Sequence, residues 1–292
     1  MPTAQPIAEL IAAGPVLLDG AWGTQMQARG LGPGETPDFW NLEHPDRVEE
    51  VARCYVEAGS QIILTNTFRA SRIALARHPE VDRVAEVNRA GVEISRRAAG
   101  DRARVFASIG PSGKQLITGE VDPEGLRAAF AEQAEALASG QPDGIVIETM
   151  SDLTEARLAI GAAKATGLPV VACMAFDSGK KRDRTMMGVT PTQAAEELSA
   201  AGADVVGANC GAGIDEYIPV CAGLAAATDR PIWIKPNAGL PQLRGGEVIY
   251  PTTAEEFADK LPALVEAGAR FVGGCCGTDP SFIQAMRRVL AE

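Results

Sequence analysis

The stretch FVGGCCG at 271–277 is an apolar run that ends in glycines and two adjacent cysteines. It is the last of eight such runs in a chain of 292 residues. Earlier ones are VLLDG (16–20), IILTN (62–66), RVFASIG (104–110), GIVIET (144–149), PVVACMAF (169–176), DVVGANC (204–210) and PIWIKPN (231–237). Each is short and apolar, as expected of parallel strands buried on both faces. Amphipathic segments separate them, among them 45–59, 123–140, 151–167, 190–203 and 252–269. In the first, Val48, Val51, Ala52, Tyr55 and Val56 recur at helical spacing and should face the sheet. Several of these segments end in AG, TG or SG, a common helix stop. Eight strand–helix units predict one (β/α)₈ TIM barrel spanning 1–292. Residues 21–45 and 177–190 read as long loops after strands one and five, the second of them mobile.

Composition narrows the function classes. Thirty-eight acidic residues against 27 basic give a net charge of −11, which argues against nucleic acid or an anionic membrane as partner. No apolar run is long enough for a transmembrane helix, and the N-terminus lacks a signal-peptide pattern. A cytoplasmic protein is expected, in which six cysteines point to metal or catalysis more than to disulfides. His44 and His78 are the sole histidines, so chemistry built on a histidine base is disfavoured.

Barrel active sites lie at the C-terminal ends of the strands. Asp19, Asn66, Glu148, Cys210, Lys235, Asn237, Cys275 and Cys276 all fall there. Cys210, Cys275 and Cys276 on one rim fit a zinc ion, with the fourth position open to substrate. Neighbouring residues of a regular strand point to opposite faces, so Cys275 and Cys276 can share a metal only if the backbone leaves strand geometry. Gly273, Gly274 and Gly277 provide that freedom. A vicinal disulfide or plain packing is the alternative for this pair. Cys54, Cys173 and Cys221, placed mid-helix or mid-strand, read as core residues.

Asp19 and Glu148 read either as helix caps or as a pair that holds a substrate ammonium. Backbone amides at Gly20 and Ala21 could then receive a carboxylate. Lys235 admits a rival chemistry, a Schiff base with a carbonyl substrate, or a structural role.

The motifs LLDGAWGT (17–24), NTF (66–68), IET (147–149), GANCGAG (207–213), KPNAGLP (235–241) and GGCCGT (273–278) occur in this order. Together they resemble the homocysteine S-methyltransferase family, which includes the homocysteine half of cobalamin-dependent methionine synthase, betaine–homocysteine methyltransferase and the S-methylmethionine enzymes. The resemblance implies a zinc barrel with Cys210, Cys275 and Cys276 as ligands. It further implies Asp19 and Glu148 at the homocysteine amino group, and the amides of Gly20 and Ala21 at its carboxylate. Asn237 resembles a residue that approaches zinc when homocysteine is absent. A zinc-bound substrate thiol is already deprotonated, so methyl transfer to form methionine needs no protein base.

The motifs are most similar to the methionine synthase branch, so the expected donor is a separate methyl-corrinoid protein in a split enzyme. Betaine or a sulfonium compound is the alternative. Trp40 resembles an aromatic of the betaine site, but Arg69 stands where that branch carries a tyrosine and would repel a quaternary ammonium. A Schiff-base aldolase using Lys235 and a non-catalytic zinc-binding protein are the alternatives of other classes.

Overall fold

The computed structural model describes residues 4–245 and 247–291. The eight anticipated runs form eight parallel strands: β1 (Val16–Leu17), β2 (Ile62–Ile63), β3 (Arg104–Ile109), β4 (Gly144–Met150), β5 (Val170–Met174), β6 (Val205–Cys210), β7 (Ile232–Pro236) and β10 (Ala269–Val272). Their order is β1-β10-β7-β6-β5-β4-β3-β2, a sheet nearly closed on itself. The seam between β1 and β2 is held by Gln61 N–H donating to Leu17 O at 2.7 Å, and by the Gln61 side chain accepting from Leu17 N at 2.8 Å. The fold is a (β/α)₈ barrel with helices packed outside the strands.

Strand alternation sorts two apolar layers. Val16, Leu18, Ile62, Leu64, Phe106, Val146, Val171, Val205, Trp233 and Phe271 fill the barrel interior. The opposite faces pack against the helices, including Val48, Val51, Ala52, Tyr55 and Val56 as anticipated. Continuing the inward alternation toward the C-terminal ends carries the chain from Phe106 to Ser108 and from Val146 to Glu148. The same step leads from Trp233 to Lys235, and two such steps, through Gly207 and Gly273, lead from Val205 to Asn209 and from Phe271 to Cys275. The period that builds the core therefore also selects the polar residues at the mouth.

Five local features depart from the sequence reading. Helix Ala4–Ile11 precedes β1 and sends Ile7, Leu10 and Ile11 into the interior cluster. The segment 21–45 is built from helices Gly23–Ala28 and Trp40–Glu43 with a 3₁₀ turn at Pro37–Phe39. The segment 177–190 folds back on itself: Ser178 bridges Arg184, and Thr185 Oγ1 donates to Ser151 O at 2.9 Å. The helix expected over 252–269 is two, Ala254–Ala258 and Leu261–Glu266. Pro262 has no N–H to give Ala258 O, and the helix breaks there. Between β7 and β10 lies an unanticipated hairpin, β8 (Gln242–Arg244) with β9 (Glu247–Ile249).

Candidate active site

Cys210 ends β6 with φ +62, and Gly211 follows with φ +63. Left-handed backbone is costly for a side chain bearing a Cβ. Here it turns the Cys210 sulfur out of strand alternation toward Cys276, 3.9 Å away. On the other side, Cys275 stays in register with β7, since its N–H donates to Pro236 O at 2.8 Å. The chain then turns sharply. Thr278 N–H reaches back to Cys275 O at 3.1 Å, and Gly277 takes φ +83. That turn brings adjacent cysteines to one point, as the sequence reading required. Gly273 serves by close approach, since a Cβ there would lie 2.7 Å from Asp19 O.

The three sulfurs lie within 4.8 Å of one another, and all three cysteines are free. The vicinal disulfide is therefore not formed. Tetrahedral thiolates at about 2.3 Å from a zinc ion are about 3.8 Å apart, so the spacing fits such an ion. The Cys275 hydrogen bond pulls the Cys210 thiol down, but the one with Cys276 and burial outweigh it and push it up to about 12. Cys276 likewise stands at about 12, the Cys210 hydrogen bond lowering it and Cys275 and burial raising it. Soft, protonated, clustered sulfur suits a borderline-soft metal that displaces the protons.

Two amides brace the cluster. Asn237 Oδ1 accepts from Cys276 N–H at 3.0 Å, and its Nδ2 donates to Gly211 O at 3.1 Å. Asn237 thus ties both cysteine turns together. Asn209, which the sequence reading passed over, does more. Its Oδ1 accepts from Thr149 N–H at 2.7 Å, and its Nδ2 meets Glu148 Oε2 at 3.1 Å and Thr149 Oγ1 at 2.7 Å. Thr149 is another left-handed residue, at φ +62. The inward alternation of β6 was the signal that could have singled out Asn209.

The sulfurs sit at one end of a cavity of about 350 Å³. Glu148 and Lys235 line its floor; Trp22, Phe68, Asp38 and Arg69 line its walls. Glu148 is 8% exposed and also accepts from Ser108 Oγ. Burial raises its pKa against the opposing pull of Lys235 and Ser108. Burial also raises Asp38, to about 6, although Arg69 N–H donates to its Oδ1 at 2.9 Å.

Asp19 lies behind this floor and is wholly buried. Its Oδ2 accepts from Trp22 Nε1 at 2.8 Å and from Leu64 N–H at 2.7 Å, and its Oδ1 is ion-paired with Lys235. The Leu64 bond crosses the β1–β2 seam, so Asp19 also closes the barrel. Gly20 and Ala21 line the cavity, but Ala21 N–H donates to Thr278 O at 3.1 Å. Gly20 N–H has no acceptor among the described residues. Burial works against the Lys235 ammonium, yet Asp19 and Glu148 outweigh it and hold its pKa above the ordinary lysine value. A Schiff-base lysine needs a depressed pKa, so Lys235 is placed as a counter-ion and not as a nucleophile.

Fold and cluster define a class: a TIM barrel that gathers three thiols, a carboxylate and a lysine at its C-terminal mouth. Within that class the chain belongs to the homocysteine S-methyltransferase family, whose profile matches residues 16–290. It is 32% identical to methionine synthase of Mycobacterium tuberculosis over 94% of this chain and 24% of that protein. Identity to the Mycobacterium leprae methionine synthase is 29%, covering 97% of this chain and 25% of that one. The chain thus spans about a quarter of the length of the curated relatives it matches. The metallated form of homocysteine methyltransferase MmuM from Escherichia coli has the same fold, with TM-score 0.81, 24% identity, and coverage of 97% and 99% of the two chains. Among the described residues, no helix is long and apolar enough to cross a membrane.

Proposed function

We propose that this chain is a zinc-dependent methyltransferase that methylates homocysteine to methionine. The observation that carries the reading is the meeting of Cys210, Cys275 and Cys276 in one cavity that Glu148 also lines. Zinc held there supplies a coordination position at which a substrate sulfur is a thiolate at neutral pH. Everything else falls to the chain. Glu148 faces the cavity and holds the substrate ammonium, within the field of Asp19 behind it. The Gly20 amide offers a free donor for the carboxylate, while Ala21 shapes the same wall. Asn237 positions the Cys210 and Cys276 turns, and its bonds to Gly211 and Cys276 keep its amide occupied. Trp22 and Phe68 give the sulfur's approach an apolar lining.

The donor we favour is a methyl-corrinoid protein docking at the mouth, in a split methionine synthase. Support comes from the motif resemblance and from relatives named methionine synthase that are about four times longer. Arg69 on the cavity wall disfavours a quaternary ammonium donor such as betaine. The test is a panel of donors with homocysteine: a methyl-corrinoid protein or methylcobalamin, betaine, S-methylmethionine and dimethylsulfoniopropionate. Methionine formed from the corrinoid donors alone supports the reading. Methionine formed from betaine or a sulfonium donor alone moves the assignment to that donor. No turnover with any donor, despite tight zinc binding, favours a non-catalytic zinc protein.

A further inference from the structure

The floor of the cavity contains two carboxylates and one ammonium that cannot escape one another. Asp19 is wholly buried, Lys235 is 2% exposed and ion-paired with it, and Glu148 is 8% exposed within Coulombic range of both. Asp19 does not line the cavity, and its oxygens accept from Trp22 and Leu64 and pair with Lys235. Lys235 and Glu148, by contrast, line the cavity. The trio sums to a formal charge of −1 with all groups ionised.

We infer that Lys235 is the specificity-determining residue that sets this floor to a single negative charge, so that the seat accepts an α-amino acid thiol bearing one ammonium. The inference rests on the proposed function and deepens it. Without Lys235 the floor would carry two negative charges, and a ligand with a carboxylate would be repelled. Without Asp19 the floor would be neutral, and an ammonium would gain nothing from it. In a site this buried, one unit of charge is worth a large factor in ligand preference. Lys235 does not react; it acts by where its charge is fixed, held by Asp19 on one side and by the close packing of β7 in the barrel wall on the other.

The charge count makes an ordered prediction across variants. The probes are homocysteine, 3-mercaptopropylamine (its ammonium without the carboxylate) and 4-mercaptobutyrate (its carboxylate without the ammonium). Binding is measured calorimetrically on zinc-loaded protein at about pH 8, where free carboxylates are ionised. Relative to wild type, Lys235→Met should shift preference toward the amine probe by about tenfold, and Asp19→Asn toward the acid probe by about tenfold. The double variant Asp19→Asn/Lys235→Met restores a floor of −1, so its preference should return to that of wild type. A residue needed merely for packing would not give opposite shifts that cancel. If Lys235→Met fails to fold, the Asp19→Asn and double variants still separate the outcomes. Wild-type binding of homocysteine with variant preferences that do not follow this order overturns the inference alone. Wild-type binding of none of the three thiols overturns both it and the proposed function.

Discussion

Asp38→Asn should stabilise the protein at neutral pH and leave its stability unchanged near pH 4. Asp38 is buried in the cavity wall, and burial raises its pKa from 3.8 to about 6. The folded protein therefore holds this proton more tightly than the unfolded chain does. Stability linked to the group is fully present below pH 3.8 and is lost as pH rises through about 6. The gap between the two values corresponds to about 3 kcal/mol at neutral pH. Asparagine keeps the oxygen that accepts Arg69 N–H at 2.9 Å and carries no charge. The variant should therefore gain up to about 3 kcal/mol at neutral pH, which for a chain of this length is about 5 °C in Tm. Thermal unfolding of both proteins at about pH 4, 6 and 7.5 reads this directly. Equal Tm differences at all three pH values, or a variant destabilised at neutral pH, would refute the reasoning.

Asn209→Ala leaves Glu148 Oε2 and Thr149 N–H without partners, at a cost of about 2–3 kcal/mol in stability. It should also raise KM for homocysteine; denaturant unfolding and steady-state kinetics check both effects, and unchanged KM would remove Asn209 from positioning Glu148. Asn237→Ala cuts the tie between the two cysteine turns, so zinc should bind about 10–100-fold more weakly, as a chelator competition would show. Zinc uptake by metal-free protein should release protons at neutral pH, because burial and thiol–thiol hydrogen bonding keep Cys210 and Cys276 protonated there. Calorimetry in buffers of different ionisation enthalpy measures that release, and its absence would show that the cluster is already ionised.

Much of this architecture was legible because one alternation governs both core and site. Glu148 and Cys275 lie on inward positions of strands whose apolar runs stand out, so the strand count alone brings them to one mouth. Cys210 was legible for its residue type, although it reaches the site only through a left-handed backbone that no pattern announces. The residue type of Asp19 suits a helix cap or a contact with a substrate ammonium equally. Its position is set by Leu64 across the barrel seam, by Trp22 and by Lys235, and such pairings between distant strands leave no local trace. The same holds for Ala21, whose amide is taken by Thr278, 257 residues further along the chain. The break before Pro262 was written in the sequence and outweighs the helical periodicity around it. The hairpin Gln242–Ile249 has too short a pattern to distinguish it from a loop.

The central claim is that three cysteines gathered at the C-terminal ends of two barrel strands hold the metal on which homocysteine methylation depends. Its most direct test is the zinc content of purified Cys210→Ser, measured beside wild type after the same chelator wash, together with homocysteine methylation by each. Wild type should retain about one zinc per chain, and the variant should lose it along with activity, since a soft ligand is gone. A Cys210→Ser protein that retains an equivalent of tightly bound zinc, or that methylates homocysteine as fast as wild type, would contradict the account.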